Sequence, residues 1–282
     1  MNKPATHTLI NGQQTSPQRP VWLTEPSWYL WDGGFLLLGR SEGAIGAHAH
    51  HAIQVVIALN GEPAICAEGG TWQSEKGFIV LPDVVHSYDG RGADGAMLFV
   101  DPESNEGQWL RASLGQQITF VPAARLNDCA SEIRRFSENP LDAMEARSLI
   151  RHCIESLCAG TPPLRRRDTR ITAALDTIRA STDLRVSLED IAATVFLSPS
   201  RFAHLFAEQV GLPFRRYLLW RKLARAMLKI GHGETMTDAA QGADFADAAH
   251  LTRTFNQMFG ISPSALMRGR FFEINSPFET RH

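Results

Sequence analysis

Between residues 21 and 122 the apolar positions come in short runs, each closed by Gly, Pro, Asn or Asp. "GFLLLGR" (34–40), "AIQVVIALNG" (52–61), "PAICAEG" (63–69), "GFIVLP" (77–82) and "AMLFVD" (96–101) have the length and bounding residues of β-strands. Many evenly spaced strands with no helical pattern between them predict a sandwich or barrel. Then the period changes. Leu126, Cys129, Ile133 and Phe136 recur every three or four positions, and Met144, Leu149, Ile150, Ile154 and Leu157 repeat the pattern. A helical hairpin over 125–159, with a break at "NP", is therefore predicted. The stretch "GTPPLRRRD" (160–168) contains prolines and a basic run and reads as a connector. From about 168 to 270 the pattern is helical throughout. The chain reads as an α+β protein of two domains, 1–160 and 169–282, joined by a linker at 161–168.

One unit occurs twice in the helical half, over residues 187–214 and again over 235–264. Each copy has a short helix with a central alanine (Ala192, Ala240), a tight turn, and a second helix with aromatic residues on one side, followed by Gly and Pro. The alanines let two steeply crossing helices approach closely, as a helix-turn-helix requires. Ser198–Pro199 is a suitable start for the second helix of the first copy, a capping serine followed by proline at the first helical position. In "GADFADAAHLTRTFNQMFGISP" (242–263), Leu251, Phe255 and Phe259 form a buried stripe, leaving Ala248, Ala249, Thr252 and Arg253 off it. Between the copies, "PFRRYLLWRKLARAMLKI" (213–230) is an unbroken amphipathic helix. Its eighteen residues make a rod of about 27 Å. That is comparable with the roughly 34 Å of one DNA turn.

Charge sharpens the division. The net charge is only -2, but residues 1–164 carry 11 Lys+Arg against 18 Asp+Glu, while the rest carries 17 against 12. A polyanion partner would meet the basic half. Cys66, Cys129, Cys153 and Cys158 form no CxxC pair and read as reduced thiols. No basic, apolar secretory leader and no run of about 18 apolar residues is present, so a cytoplasmic protein without membrane association is expected.

The motifs "LEDIA", "SPSRFAHLF", "YLLWRKLARAMLK" and "LTRTFNQMFGISPSAL" resemble the DNA-binding domain of the AraC/XylS family of bacterial transcription regulators. The resemblance covers roughly residues 168–268. It implies an all-α domain whose two helix-turn-helix units read repeated half-sites in double-stranded promoter DNA. Carried over to this chain, Ala248, Ala249, Thr252 and Arg253 would face the major groove in the second unit. Ser200, Ala203 and His204 would do so in the first, with Arg201 nearer the backbone. Alanines can meet thymine methyls and arginine can bond guanine bidentately. Arg215, Arg216, Arg221 and Lys222 are candidate phosphate contacts, some of which must instead pair with local carboxylates. Two positions depart from the family pattern. Asp244 stands where Gly is usual before the aromatic of the second turn, and Ala246 stands where Ser often caps the last helix. Asp tolerates left-handed backbone, and Asp247 can serve as the cap.

In the front half, "HAHHAIQ" (48–54) opens the best apolar strand. Strand alternation puts His48, His50 and Gln54 on one side and His51 on the other. With His86 in "LPDVVHSYDG", this resembles the two cupin motifs. Gln54 replaces the usual acidic ligand, and the second motif is one residue short and lacks its glycine. The resemblance implies a cupin-like β-barrel with His48, His50, Gln54 and His86 as effector-binding residues. Three readings stay open for them: a divalent transition-metal site, a metal-free pocket for a small effector, or plain core histidines. Trp22, Trp28, Trp31 and Trp72 read as core. The expected function is a non-enzymatic, effector-controlled transcription regulator, homodimeric by family resemblance through 125–159. The competing reading is a metal-dependent cupin oxygenase or isomerase fused to a helical domain.

Overall fold

In the computed structural model, which describes residues 22–136, 141–158, 167–264 and 269–274, the apolar runs of the front half form two sheets. The front half runs β1 (Trp22–Trp31), β2 (Gly34–Glu42), β3 (Ala44–His48), β4 (Ile53–Asn60), β5 (Ala64–Ala67), β6 (Gln73–Ser74), β7 (Gly77–Val80), β8 (His86–Asp89), β9 (Ala93–Val100), α1 (Asn105–Ser113), β10 (Ile118–Phe120), α2 (Ala123–Phe136) and α3 (Ala143–Leu157). The helical half comprises α4 (Thr169–Ala180), α5 (Leu188–Thr194), α6 (Pro199–Val210), α7 (Phe214–Gly231), α8 (Met236–Gly242) and α9 (Ala248–Phe259), and then β11 (Arg270–Glu273). Seven strands pair in the order β10-β7-β4-β9-β2-β1-β11, and four in the order β3-β8-β5-β6.

The larger sheet is covered on both faces, which is why its strands read as nearly continuous apolar runs. Alternate residues show what covers each side. Tyr29 and Trp31 of β1, Leu36 of β2, Ile53, Val55 and Ile57 of β4, and Leu98 and Val100 of β9 pack against the α2–α3 hairpin. On the other face, Trp28, Leu30, Phe35, Leu37 and Phe99 pack against α7, α8 and α9, while Val56, Phe78 and Val80 pack against Ile65 and Tyr88 of the smaller sheet. The second face therefore passes from a sheet–sheet core to a sheet–helix core, and the seam falls beside Gln54 and Phe99.

The hairpin's stripe of Leu126, Cys129, Ile133, Leu149, Ile150, Ile154 and Leu157 is buried in this chain's own core. The apolar face expected to meet a second chain is thus covered by the sheet. Met144, read as part of that stripe, is 77% exposed. It lies beside the Asp142 capping box in the first turn, off the buried face. The "NP" break, the Phe136 side chain and residues 161–166 of the connector lie outside the described residues. Trp28 and Trp31 are core residues, Trp72 is exposed, and the Trp22 side chain lies outside the described residues.

The helical pattern expected to run to 270 ends earlier, and β11 adds a parallel strand to β1, pairing Trp28 with Phe271. Their rings stack 5.9 Å apart. A four-residue strand with two aromatics carries no alternation long enough to announce itself. In the helical half, α4, α5, α6 and the first turns of α7 share one core, and the rest of α7 joins α8 and α9 in the other. Helix α7 is therefore the common wall of two small bundles.

Candidate nucleic-acid interface and histidine site

The two helix pairs, α5–α6 and α8–α9, turn in the same way. Ala192 and Ala240 are fully buried, and their carbonyls accept the N–H of Leu197 and Phe245 at 3.0 and 2.9 Å. The residue before each of these is left-handed: Phe196 at φ 54° and Asp244 at φ 62°. Asp244 thus holds the position where glycine is usual, and its carboxylate adds a function that glycine could not supply. It accepts from Leu184 N–H at 2.8 Å and lies 3.2 Å from Arg185 and 3.4 Å from Arg225. These contacts tie the turn of the second unit to the loop entering the first. Nothing in the sequence near Asp244 points to partners sixty residues away.

The second helices start and stop as their end residues require. Ser198 caps α6, with Pro199 in the first turn, and Gly211 ends it at φ 92°. Asp247 caps α9 by accepting His250 N–H at 2.6 Å, and Gly260 ends it at φ 67°. The cap has moved one residue past Ala246. We expect Asp247→Ala to lower stability by about 1 kcal/mol. Thermal denaturation would show this as a small drop in Tm, and an unchanged Tm would mean that α9 does not depend on its cap.

The faces opposite the cores hold the residues singled out from sequence. Ser200, Arg201, His204, Ala249 and Arg253 are exposed, and Ala203, Ala248 and Thr252 are half-buried along the same faces. The Thr252 hydroxyl donates to the Ala248 carbonyl at 2.8 Å, leaving its oxygen free only as an acceptor. The basic residues of α7 divide. Arg221 turns inward to Asp32 at 2.8 Å and Asp101 at 3.7 Å, so it is a contact between the halves, not a free phosphate-binding group. Lys222 donates to the Asp244 carbonyl, and Arg216 lies 3.6 Å from Asp83 of the front half. Arg215 remains exposed.

Around Arg221 lies a buried polar network that sequence reasoning missed. Trp220 Nε1 donates to Asp101 at 2.8 Å, and Arg167 donates to the Glu103 carbonyl at 3.1 Å. His51 Nε2 meets the Glu103 carboxylate at 3.0 Å. Burial pulls His51 towards neutrality, but the Glu103 carboxylate outweighs it and holds the imidazole up at about 9. Burial, then the neighbouring Glu103 charge, raises Asp101 to about 6. Isolated Asp and Glu residues in a loop carry no mark of such partners.

His48, His50, His86 and Gln54 converge at the seam between the two sheets. His48, His50 and Gln54 do not lie on one strand as alternation suggested. His48 ends β3, His50 sits in the connection, Gln54 is the second residue of β4, and His86 opens β8, where it pairs with His48. All four are buried. The Nδ1 atoms of His48, His50 and His86 meet the carbonyls of Gly46, Ala52 and Val84 at 2.8–2.9 Å. The Nε2 atoms of His50 and His86 each lie 3.1 Å from Gln54 Oε1. Burial, reinforced by the neighbouring rings, holds His50 down to about 3 and His86 to about 4, so both are neutral at ordinary pH.

Comparison with known proteins bears on the helical half most directly. Residues 191–269 match a family model described as a helix-turn-helix domain. The uncharacterised HTH-type transcriptional regulator YidL of Escherichia coli is 32% identical over 108 residues, 38% of this chain and 35% of that protein. The match thus spans about a third of that relative's length. The arabinose operon regulatory protein of Salmonella typhimurium is 25% identical over 76% of this chain and 80% of its own. Both of these relatives are described as regulators. Among solved structures, ToxT of Vibrio cholerae shares the fold across 88% of this chain and 95% of that one, with a TM-score of 0.56 at 9% identity. Two helix-turn-helix units on one shared helix, within a stretch that matches a helix-turn-helix family model and is similar in sequence to these regulators, mark residues 191–269 as a helix-turn-helix domain.

Proposed function

We propose that the chain is a sequence-specific DNA-binding regulator of transcription, controlled by an effector bound in its sheet-rich half. The observation that carries this reading is the pair of outward faces on α6 and α9, each backed by an aromatic core and both anchored to α7. Helix α7, eighteen residues and so a rod of about 27 Å, carries one unit on its first turns and the other along the rest. A rod of that length supports a reading in which the two units meet successive major grooves on one side of a duplex. His48, His50, Gln54 and His86 form the candidate effector site. Structures of ToxT include one described as bound to an unsaturated fatty acid, which shows that a protein of this fold can take a ligand. The relatives argue against the cupin-enzyme alternative. Among the described residues, no helix is long and apolar enough to cross a membrane. A cytoplasmic homodimer belongs to this reading, with pairing through the outer side of the 125–159 hairpin, where Met144 is exposed.

The test is base-specific. Arg253→Ala should cost about 1–3 kcal/mol on the preferred duplex and relax the preference at one base position. Arg215→Ala should weaken binding to all duplexes alike and reduce its salt dependence. Fluorescence anisotropy across a set of single-base variants separates the two patterns. If Arg253→Ala weakened every duplex equally, α9 would touch only the backbone.

A further inference from the structure

The histidine site and the second helix-turn-helix unit share a wall. The Phe259 ring, at the end of α9, lies 6.3 Å from that of His50 and 5.7 Å from that of Phe99, which itself stands 5.2 Å from His50. Gly260 follows at φ 67°, and a Cβ there would come within 2.1 Å of Ile45 Cγ2 and 3.5 Å of the His48 ring. Only glycine allows the backbone so close. The helix that carries Arg253 therefore ends on two of the three histidines.

The donor set indicates what the site can hold. A carbonyl only accepts hydrogen bonds, so the Gly46, Ala52 and Val84 carbonyls fix the proton of each neutral ring on Nδ1 and leave Nε2 as a bare lone pair. Metal-bound histidines are commonly oriented by this kind of second contact. Two of these nitrogens face Gln54 Oε1, which is also an acceptor, with no hydrogen between them. Side chains alone would relieve this by turning the amide over, so that its two N–H groups point at the rings. A cation satisfies all the lone pairs as they stand. One ligand nitrogen from each histidine lies within 4.8 Å of the others, and a tetrahedral ion with bonds of about 2.1 Å would draw them to about 3.4 Å. Three imidazoles and an amide oxygen, with no carboxylate, suit Zn²⁺, Co²⁺, Ni²⁺ or Cu²⁺ rather than Mg²⁺ or Ca²⁺. Four protein donors also close the coordination sphere, as in a holding site rather than a reactive one.

We propose that His48, His50, His86 and Gln54 bind one divalent transition-metal ion, and that the ion and the seating of α9 on the sheet stabilise each other. The metal is then the effector that positions the second DNA-reading helix, a clause that rests on the function proposed above. An ion shifts the position of α9 only so far as it binds the seated form better. By reciprocity, loosening α9 must weaken the ion.

Co²⁺ titrated into the full-length chain, followed by visible absorption and by equilibrium dialysis, tests both parts. The expected result is one Co²⁺ per chain with the intense bands of a tetrahedral site, displaced by Zn²⁺. His50→Ala should lose it, while His152→Ala on α3 should retain it. Gln54→Glu adds a negative charge to the donor set and should tighten binding at least tenfold. Phe259→Leu removes no ligand atom and should weaken binding at least threefold. Absence of Co²⁺ at the site, or no gain with Gln54→Glu, overturns the metal assignment, and wild-type affinity in Phe259→Leu overturns the coupling. The titration contains no DNA, so it is independent of the regulator reading. A chain that held Co²⁺ but bound no DNA would sink that reading and leave the site standing.

Discussion

Arg221→Met is expected to lower the stability of the full chain by about 3–5 kcal/mol, the cost of removing one member of a buried ionic set. Its side chain is 13% exposed and lies between Asp32 and Asp101, the latter 3% exposed. Without the guanidinium, Asp101 keeps its hydrogen bond from Trp220 and the more distant pulls of His51 and Arg179, with Glu103 close by. Methionine fills the space but removes the cation that pairs directly with that carboxylate. Because Arg221 belongs to α7 and its partners to the sheet-rich half, the loss should fall on the contact between halves. Urea unfolding should then separate into two transitions, the helical half detaching first. Asp101→Asn in the same chain should restore part of the loss, since both changes act on one network. A single transition at the wild-type midpoint would mean that Arg221 contributes only as a surface charge.

The second large effect is expected from Phe259→Ala, at about 3–5 kcal/mol. Phe259 is 5% exposed and its ring lies within about 6 Å of those of Phe35, Phe99, Phe255 and Trp220. Those rings come from β2, β9, α7 and α9, so one side chain joins both halves. A cavity there cannot be closed by a single neighbour, because each neighbour is held on a different element. Hydrogen exchange provides the local readout: amides of α9 should lose protection before those of α6, whose core is separate. Equal loss in both helices would indicate that the two bundles unfold as one unit.

How much of this was legible in the sequence follows from the range over which each feature acts. The capped ends of α6 and α9, the buried alanines and the Leu251–Phe255–Phe259 stripe depend on residues within a turn or two of one another, and periodicity finds them. Even the departure at Asp244 could be read, because left-handed backbone is a local demand that Asp meets. Its contacts with Leu184, Arg185 and Arg225 could not, since they depend on how α4, α7 and α8 come together. The His51–Glu103 and Arg221–Asp101 contacts are invisible for the same reason. The histidines fall between these cases. Their grouping with Gln54 could be read from spacing, but the strand they were placed on could not, because a turn separates His48 from Gln54. The share of the α2–α3 stripe buried by its own sheet was also beyond sequence, as an apolar face does not name what covers it.

The most direct test of the whole account is selection of the full-length chain on a library of random duplexes, with affinities of the enriched sequences then measured by anisotropy. The enriched sites should hold two elements about one helical turn apart. Arg253→Ala should erase the preference at one base of one element and leave the other intact. Equal affinity for all duplexes, or a single short element that Arg253→Ala does not alter, would contradict the regulator reading.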